Sequence, residues 1–192
     1  MRITKSDVIQ TAADIADKNG LSNVSLKAVA ESLNIRTPSL YNHIDSLEAL
    51  LREIAHNGMK TMNERMMQAA IGKIGDDAIK SVGIIYLNYM IEHPGIYETI
   101  QWATWHGTEE TGKIFDNYLS LLKTLALSCN FNPVNIDEIL NLLTGVLHGY
   151  TTLQLRYAFT KPDEVRTALS AALDTVLGGL HQKYDQHEKE HL

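Results

Sequence analysis

Apolar residues recur every three or four positions along almost the whole chain, and this spacing constrains the fold more than any other feature of the sequence. Side chains spaced in this way fall on one face of an α-helix. No stretch alternates apolar and polar residues for long enough to form a half-buried strand. The pattern therefore predicts an all-α protein, and its interruptions predict about nine helices.

Local start and stop signals place the first two helices. Thr4 followed by Asp7 is a capping arrangement, and the apolar stripe behind it stops at Asn19-Gly20. Ser25 is a good N-cap for a second helix of about two turns, which ends before Asn34. The residues after Asn34 carry the start signals of the third and fourth helices.

Thr37 is expected to cap a third helix that runs to about Ile44, with Pro38 at its first position, where the missing N–H has no cost. Asp45 and Glu48 then predict a capping box for a long fourth helix. We expect a three-helix domain over residues 1–50, a connecting helix over 46–71 and a larger helical domain over 51–192. The later helices are predicted at Asp76–Glu92, Gly95–Trp105, Glu109–Cys129, Pro133–Phe159 and Pro162–Tyr184.

Composition excludes several classes of protein. The first twenty residues lack the apolar core of a signal peptide, and the most apolar run, Val82–Ile91, is far shorter than the roughly 20 residues that span a bilayer. The single cysteine, Cys129, cannot form an internal disulfide. We therefore expect a cytoplasmic protein with no membrane segment, no cofactor and no resident metal.

Net charge alone gives no indication of nucleic-acid binding. The chain carries −6 at pH 7, and residues 1–50 hold five basic groups against six acidic ones. Proteins that bind DNA gain affinity by neutralising phosphates with Lys and Arg. If this segment binds DNA, it must do so through the placement of a few groups.

The second and third predicted helices have the arrangement of a helix-turn-helix unit. Asn34-Ile35-Arg36 forms a three-residue turn between them. The third helix, Thr37–His43, presents small or polar hydrogen-bonding groups near its N-terminus, where a recognition helix reads base edges. Leu40 and Ile44, four residues apart, would pack against the rest of the domain. These features predict a DNA-binding recognition helix.

Residues Ile3–Leu51 resemble the TetR family of bacterial transcriptional regulators. The resemblance rests on the short capped helix from Ser25 and on the run Thr37-Pro38-Ser39-Leu40-Tyr41 with His43. It implies that Tyr41 and His43 bind phosphates, and that the other polar groups lie near bases or backbone. The DNA-binding residues expected in this way are Ser25, Lys27, Arg36, Thr37, Pro38, Ser39, Tyr41, Asn42 and His43.

Two positions depart from the family pattern. Ile44 replaces a usual aromatic residue, which is a conservative change in the core. Leu47 replaces a usual phosphate-binding lysine, which removes one expected backbone contact. We therefore expect modest DNA affinity for each subunit and a strong dependence on dimerisation.

The same resemblance implies that the C-terminal helices hold a ligand pocket, and Ile100–Gly107 is similar to the Trp-His-Gly feature of one type of TetR C-terminal domain. An aromatic, mostly apolar cavity would hold a small apolar or aromatic effector, although the same residues could fill a solid core. The candidate lining residues are Tyr86, Met90, Tyr97, Trp102, Trp105, His106, Tyr118, Leu122, Leu143 and His148.

A homodimer is expected because one short recognition helix reads few base pairs, whereas two related by a two-fold axis read a palindromic operator in double-stranded DNA. The last two helices offer apolar seams for this contact, and either seam could instead pack inside one subunit. The candidate interface residues are Ile136, Leu140, Leu147, Leu169, Leu173, Val176 and Leu180. Repression relieved by a ligand is the commoner behaviour of the family.

The sequence leaves two alternative functions to consider. The pair Glu53 and His56 has the spacing used in carboxylate-bridged metal bundles, but no second such pair with suitable carboxylates follows. A helical protein-interaction module without DNA binding is the other alternative. No grouping of nucleophile, base and orienting residue indicates an enzyme.

Overall fold

The structure, a computed structural model, describes residues 3–156 and 161–185. The α-helices in these residues are α1 Lys5–Asn19, α2 Leu26–Ser32, α3 Leu47–Ala70, α4 Gly75–Glu92, α5 Pro94–His106, α6 Glu109–Leu127, α7 Ile136–Leu155 and α8 Pro162–Tyr184. Short 3-10 helices lie at Leu21–Asn23, Thr37–Asn42 and Pro133–Asn135. Within the described residues, the one β feature is an isolated bridge between Phe131 and Asp185. The all-α prediction is confirmed.

Two of the predicted caps are confirmed by side-chain hydrogen bonds. The Thr4 hydroxyl accepts the Asp7 N–H at 3.2 Å, and the Asp7 carboxylate accepts the Thr4 N–H at 2.8 Å. The Ser25 hydroxyl accepts the Ala28 N–H at 3.1 Å, at the start of α2. These bonds pair backbone donors that the first turn of a helix leaves free.

Two other predicted caps are wrong. Arg36, rather than Thr37, occupies the N-cap position of the 3-10 helix Thr37–Asn42. Helix α3 begins after Ser46, whose hydroxyl accepts the Ala49 N–H at 3.0 Å, so Asp45 and Glu48 form no capping box. An N-cap must directly precede the first helical residue, and the chain enters each helix one residue away from the predicted position.

The ends of the later helices differ from prediction by a few residues. The helix predicted from Pro133 begins as the 3-10 helix Pro133–Asn135 before α7, and its predicted end at Phe159 lies outside the described residues. Helix α6 ends at Leu127, two residues before the predicted Cys129. The 3-10 helix Leu21–Asn23 was not predicted.

The chain forms two compact units. Unit 1 comprises Met1–Thr61 and Glu92–Phe115, and it therefore joins the helix-turn-helix to α5 and the start of α6. Its core includes the fully buried side chains of Val8, Ala12, Val29, Leu40 and Leu50. The domain boundary expected after residue 50 stays a prediction.

Unit 2 comprises Met62–Ile91 and Asp116–Leu192. In it, α4 lies so close to the last two helices that a Cβ on Gly83 would be 3.0 Å from Leu147 and 3.1 Å from Leu173. An ion pair of 3.0 Å between Lys80 and Asp174 also joins α4 to α8. Among the described helices, none combines the length and apolar character that a bilayer-spanning helix needs.

Candidate nucleic-acid interface

Backbone hydrogen bonds close the turn after α2 and set the direction in which the chain leaves it. The Ile35 N–H donates to the Ala30 carbonyl at 2.9 Å, and the Asn34 N–H donates to the Glu31 carbonyl at 3.1 Å. Asn34 has a φ of 54°, a left-handed conformation that asparagine tolerates better than most residues. The turn is a Schellman motif, which ends α2 cleanly and orients the next helix.

The 3-10 helix Thr37–Asn42 is anchored through one face. Leu40 and Ile44 are buried in unit 1, and the Leu40 carbonyl accepts the N–H groups of His43 at 2.8 Å and Ile44 at 3.1 Å. The predicted recognition helix is therefore tighter than an α-helix, with three residues per turn. Because the anchor is apolar, the polar side chains are left for contacts outside the protein.

The predicted DNA-binding residues of this helix lie at or near the surface. Tyr41 is 58% exposed, which is high for an aromatic side chain. Arg36, Pro38 and Asn42 are also exposed, and Thr37, Ser39 and His43 are half-buried. The structure brings these seven residues together on one short segment.

Ser25 and Lys27 are placed differently. The Ser25 hydroxyl is engaged as the cap of α2 and is half-buried, so it has less freedom to bind a phosphate. Lys27 is exposed and lies 3.8 Å from Glu31, and such a solvated pair contributes little stability. The Lys27 ammonium can therefore leave Glu31 for a phosphate at low cost.

Positive charge is sparse near the 3-10 helix, as the charge count predicted. Lys5 is paired with Glu53 on α3. Hydrogen bonds from the Thr4 N–H and hydroxyl hold the pKa of Asp7 below its ordinary value, with a smaller contribution from nearby His43. Arg36 makes no ion pair with any residue in the described part of the chain and is the cation nearest the 3-10 helix.

Helix α5 is fastened to α1 by contacts that the sequence analysis missed. The Asp17 carboxylate accepts the N–H groups of Gly95 at 2.8 Å and Ile96 at 3.1 Å, and its second oxygen lies 2.9 Å from His93 Nδ1. Glu98 accepts the Leu21 N–H at 3.0 Å. Since these partners are more than seventy residues apart, no local pattern could reveal them, although Pro94-Gly95 marks a helix start.

The start of α6 is held against α3 by a buried histidine. His56 is 4% exposed, and its Nε2 lies 2.8 Å from the Thr111 hydroxyl. Burial lowers the pKa of His56, which favours the neutral ring. Glu53 and His56 thus each have a protein partner, and no three metal-binding side chains converge within the described residues.

The predicted pocket residues divide between the two units. Tyr97 is buried in unit 1, Trp102 stacks on His106 with ring centroids 4.6 Å apart, and Trp105 is 87% exposed. In unit 2, the Tyr86 ring lies 6.3 Å from that of Tyr118 and 5.6 Å from that of His148. Also buried in unit 2 are Met90, Leu122 and Leu143. A ligand pocket stays a prediction.

Most of the predicted dimer residues are already buried inside the single chain. Leu147 and Leu173 lie against Gly83, and Val176 is half-buried. The other buried members are Ile136, Leu140, Leu169 and Leu180. Both seams are thus largely covered within the single chain, as the alternative left open by the sequence has it, and the dimer contact stays a prediction.

Comparison with known proteins identifies the family. A family model described as "Tetracyclin repressor-like, C-terminal domain" matches residues 79–176, which is just over half of the chain. The uncharacterized HTH-type transcriptional regulator YobS of Bacillus subtilis is 31% identical over 179 residues, and the match covers 93% of each chain. The chain belongs to the TetR family of transcriptional regulators. This family regulates transcription and is not a family of enzymes.

Solved structures share the fold of this chain. A protein of unknown function from Rhodococcus sp. RHA1 superposes with a TM-score of 0.82 at 16% identity, covering 94% of this chain and 96% of its own. A TetR variant from Acinetobacter baumannii AYE, in complex with minocycline, superposes with a TM-score of 0.70 at 18% identity, covering 94% and 98%. The helix-turn-helix and the C-terminal helices are therefore both part of the TetR fold.

Proposed function

We propose that this TetR-family chain is a repressor that binds a palindromic operator as a homodimer and leaves it when a small, largely apolar or aromatic effector binds the C-terminal helices. The observation that carries the proposal is the 3-10 helix Thr37–Asn42. Its Leu40 anchor is fully buried, whereas Tyr41 is 58% exposed. The buried anchor fixes the segment on unit 1, and the exposed Tyr41 side chain is available to contact a partner.

Several side chains at this segment can make DNA contacts that suit their chemistry. The Tyr41 hydroxyl and the His43 imidazole can donate hydrogen bonds to phosphate oxygens, and Arg36 adds a charge-assisted bond. Asn42 can pair with an adenine edge through two hydrogen bonds. Phosphate contacts position the segment, while the amide and hydroxyl groups supply sequence preference.

The dimer contact is assigned to the exposed faces of α7 and α8. On α7, Leu142 is 46% exposed and Leu153 is 47% exposed, and Gly145 and Gly149 lie between them on the same face. A Cβ built on either glycine would meet nothing within 4 Å. A second copy of the chain can approach closely here and cover the two leucines.

Light scattering on the purified chain tests the dimer. We expect a mass of two chains for the wild type and of one chain for Gly149→Glu, because a buried carboxylate would disrupt the contact. Val134→Glu, at a side chain that is 87% exposed, is the matched control and should stay dimeric. A monomeric wild type would overturn this part of the proposal.

Selection from a randomised duplex library tests the DNA contact. We expect the full chain to enrich a palindrome whose half-sites are one helical turn or more apart, about 34 Å. Enrichment of no sequence, or of an asymmetric one, would contradict binding as a symmetric dimer. Transcription from a promoter that overlaps the selected palindrome should fall when the protein is added, and a rise would show activation.

Release by an effector is supported by one comparison. The A. baumannii TetR variant holds minocycline, so this fold can accommodate a small molecule. An effector lowers operator affinity only if it binds the DNA-free state more tightly than the DNA-bound state. A compound that binds the chain but leaves operator affinity unchanged would fail as an effector.

A further inference from the structure

Unit 2 contains a small group of polar side chains that lie among buried apolar residues. Three helices contribute to it: Tyr86 from α4, Tyr118 from α6, and Thr144 and His148 from α7. The Tyr86 hydroxyl lies 3.2 Å from His148 Nδ1, and the Tyr86 ring lies edge-on to the imidazole. Thr144 and His148 are four residues apart and so share one face of α7.

Two hydroxyls of this group are buried without a hydrogen-bond partner among the described residues. Tyr118 is 5% exposed, and neither its hydroxyl nor that of Thr144 makes a hydrogen bond of ordinary geometry among the described residues. The two hydroxyls lie close enough for a weak hydrogen bond with Thr144 to lower the Tyr118 pKa. Buried hydroxyls in folded proteins are nearly always paired, because an unpaired one costs about 1–3 kcal/mol. Because a hydrogen bond between two hydroxyls uses only one of their two O–H donors, the pair keeps a donor for a group outside the described chain.

The same group is electrically neutral. Burial raises the pKa of Tyr118 to about 12, and burial alone lowers the pKa of His148. No charged side chain of the described residues contributes to either shift. A ligand carboxylate or ammonium placed here would lose its hydration and find no counter-ion.

We propose that the molecule bound in unit 2 is neutral and mainly apolar and carries one oxygen, in a carbonyl or hydroxyl group, that the Tyr118 and Thr144 hydroxyls recognise. The buried apolar side chains of the same unit include Met90 and Leu122, each four residues after Tyr86 or Tyr118 on the same helix face, and Leu143, and such side chains suit a hydrocarbon or aromatic body. This inference rests on the proposed effector function. It narrows the class of effector from a small, largely apolar molecule to a neutral one that carries an oxygen.

Probes of similar shape distinguish a neutral, oxygen-bearing ligand from a purely apolar one and from a charged one. Acetophenone, α-methylstyrene and benzoate have nearly the same shape but carry a carbonyl, a methylene and a carboxylate, and their 2-naphthyl counterparts extend the series to a larger body. Calorimetry on the full chain without DNA should show each ketone binding about fivefold to tenfold more tightly than its alkene, as expected for one or two neutral hydrogen bonds. Each carboxylate should bind least.

Two variants assign the preference to the hydroxyls. Tyr118→Phe and Thr144→Val should each reduce the preference for ketone over alkene to about twofold or less. Each should leave the melting temperature of the free protein unchanged or raised, because an unpaired hydroxyl has been removed. Thr151→Val is the matched control, since the buried Thr151 hydroxyl already donates to the Leu147 carbonyl at 2.8 Å, and it should keep the full preference.

Four results would overturn the proposal: equal binding of ketone and alkene, tightest binding of a carboxylate, no binding of any probe, or an unchanged preference in Tyr118→Phe. The last result, or a lowered melting temperature in that variant, would mean that the hydroxyl has an internal structural role. Operator release is measured separately. A ketone that binds as described but leaves the operator occupied would refute the effector role and not the site.

Discussion

Replacing Gly95 with alanine tests how tightly α5 packs on α1. A Cβ at this position would lie 2.1 Å from the Ala16 carbonyl carbon, 2.4 Å from the Ala16 oxygen and 2.4 Å from the Asp17 nitrogen. All three atoms belong to the backbone of α1, so no side chain can rotate to make room. The two helices must move apart.

Moving the two helices apart lowers the free energy of unfolding, and two contributions give the size of the loss. Overfilling a packed interior costs about 1–3 kcal/mol, and a backbone clash lies at the upper end of that range. Moving α5 also stretches the hydrogen bonds that Asp17 accepts from Gly95 and Ile96. We expect the free energy of unfolding to fall by about 3 kcal/mol or more. For a chain of this length, about 3 kcal/mol corresponds to a melting temperature lower by roughly 6–12 °C.

Gly112→Ala provides a control of opposite sign. Gly112 lies in α6, and a Cβ there would meet nothing within 4 Å. Alanine is favoured over glycine in a helix by about 1 kcal/mol, so this variant should be slightly more stable than the wild type. Unfolding in urea at equal chain concentration, followed by circular dichroism, gives both changes in free energy. A Gly95→Ala variant within about 0.5 kcal/mol of the wild type would refute the packing described.

Two further predictions concern a helix cap and a charged histidine. Ser25→Ala should cost about 1 kcal/mol in the same urea experiment, because the Ala28 N–H loses its acceptor, whereas exposed Ser22→Ala should change stability by less than about 0.5 kcal/mol; equal effects would contradict the cap. His181 lies 2.9 Å from Asp76 and 2.7 Å from Asp185, and the hydrogen bond with Asp76 raises its pKa most, with Asp185 adding to the rise. A raised pKa stabilises the fold below the ordinary histidine value of about 6.5, and this stability is lost as pH rises through the folded pKa. His181→Gln should therefore destabilise the protein more at pH 6 than at pH 9, and an equal cost at both would exclude the charged pairing.

Helices and some of their ends were predictable because their signals are local. The Thr4 and Asp7 capping box and the Ser25 cap use residues three positions apart. Helix α8 begins at Pro162 and ends at Tyr184, as the proline and the apolar stripe predicted. A side chain that bonds its own first turn can be read from its neighbours alone.

Features that depend on distant parts of the chain were not predictable in this way. Ser46 and Asp45 are both good caps, and only the path of the chain decides that Ser46 is used. Leu147 and Leu173 have the spacing of a dimer seam, yet they pack against Gly83 within the subunit. An apolar stripe shows that a face is buried but does not show which surface covers it.

At the candidate site, too, some residues were predictable from a local pattern and others were not. The family pattern placed Tyr41 and His43 on the DNA-reading segment, and the structure places both on or beside the 3-10 helix. Asp17 and His93, which hold α5 against the first helix, carry no such pattern. Helix type was also set by context, since Thr37–Asn42 closes as a 3-10 helix around buried Leu40.

The central claim is that the 3-10 helix Thr37–Asn42 reads DNA, and a gel-shift titration of Tyr41→Ala on the selected palindrome tests it most directly. The Tyr41 side chain is 58% exposed, so its removal should leave the helical circular-dichroism signal intact. Val134→Ala, at an exposed side chain of unit 2, serves as the control and should bind as the wild type does. We predict that Tyr41→Ala loses specific operator binding. Binding of Tyr41→Ala with wild-type affinity and specificity would contradict the account.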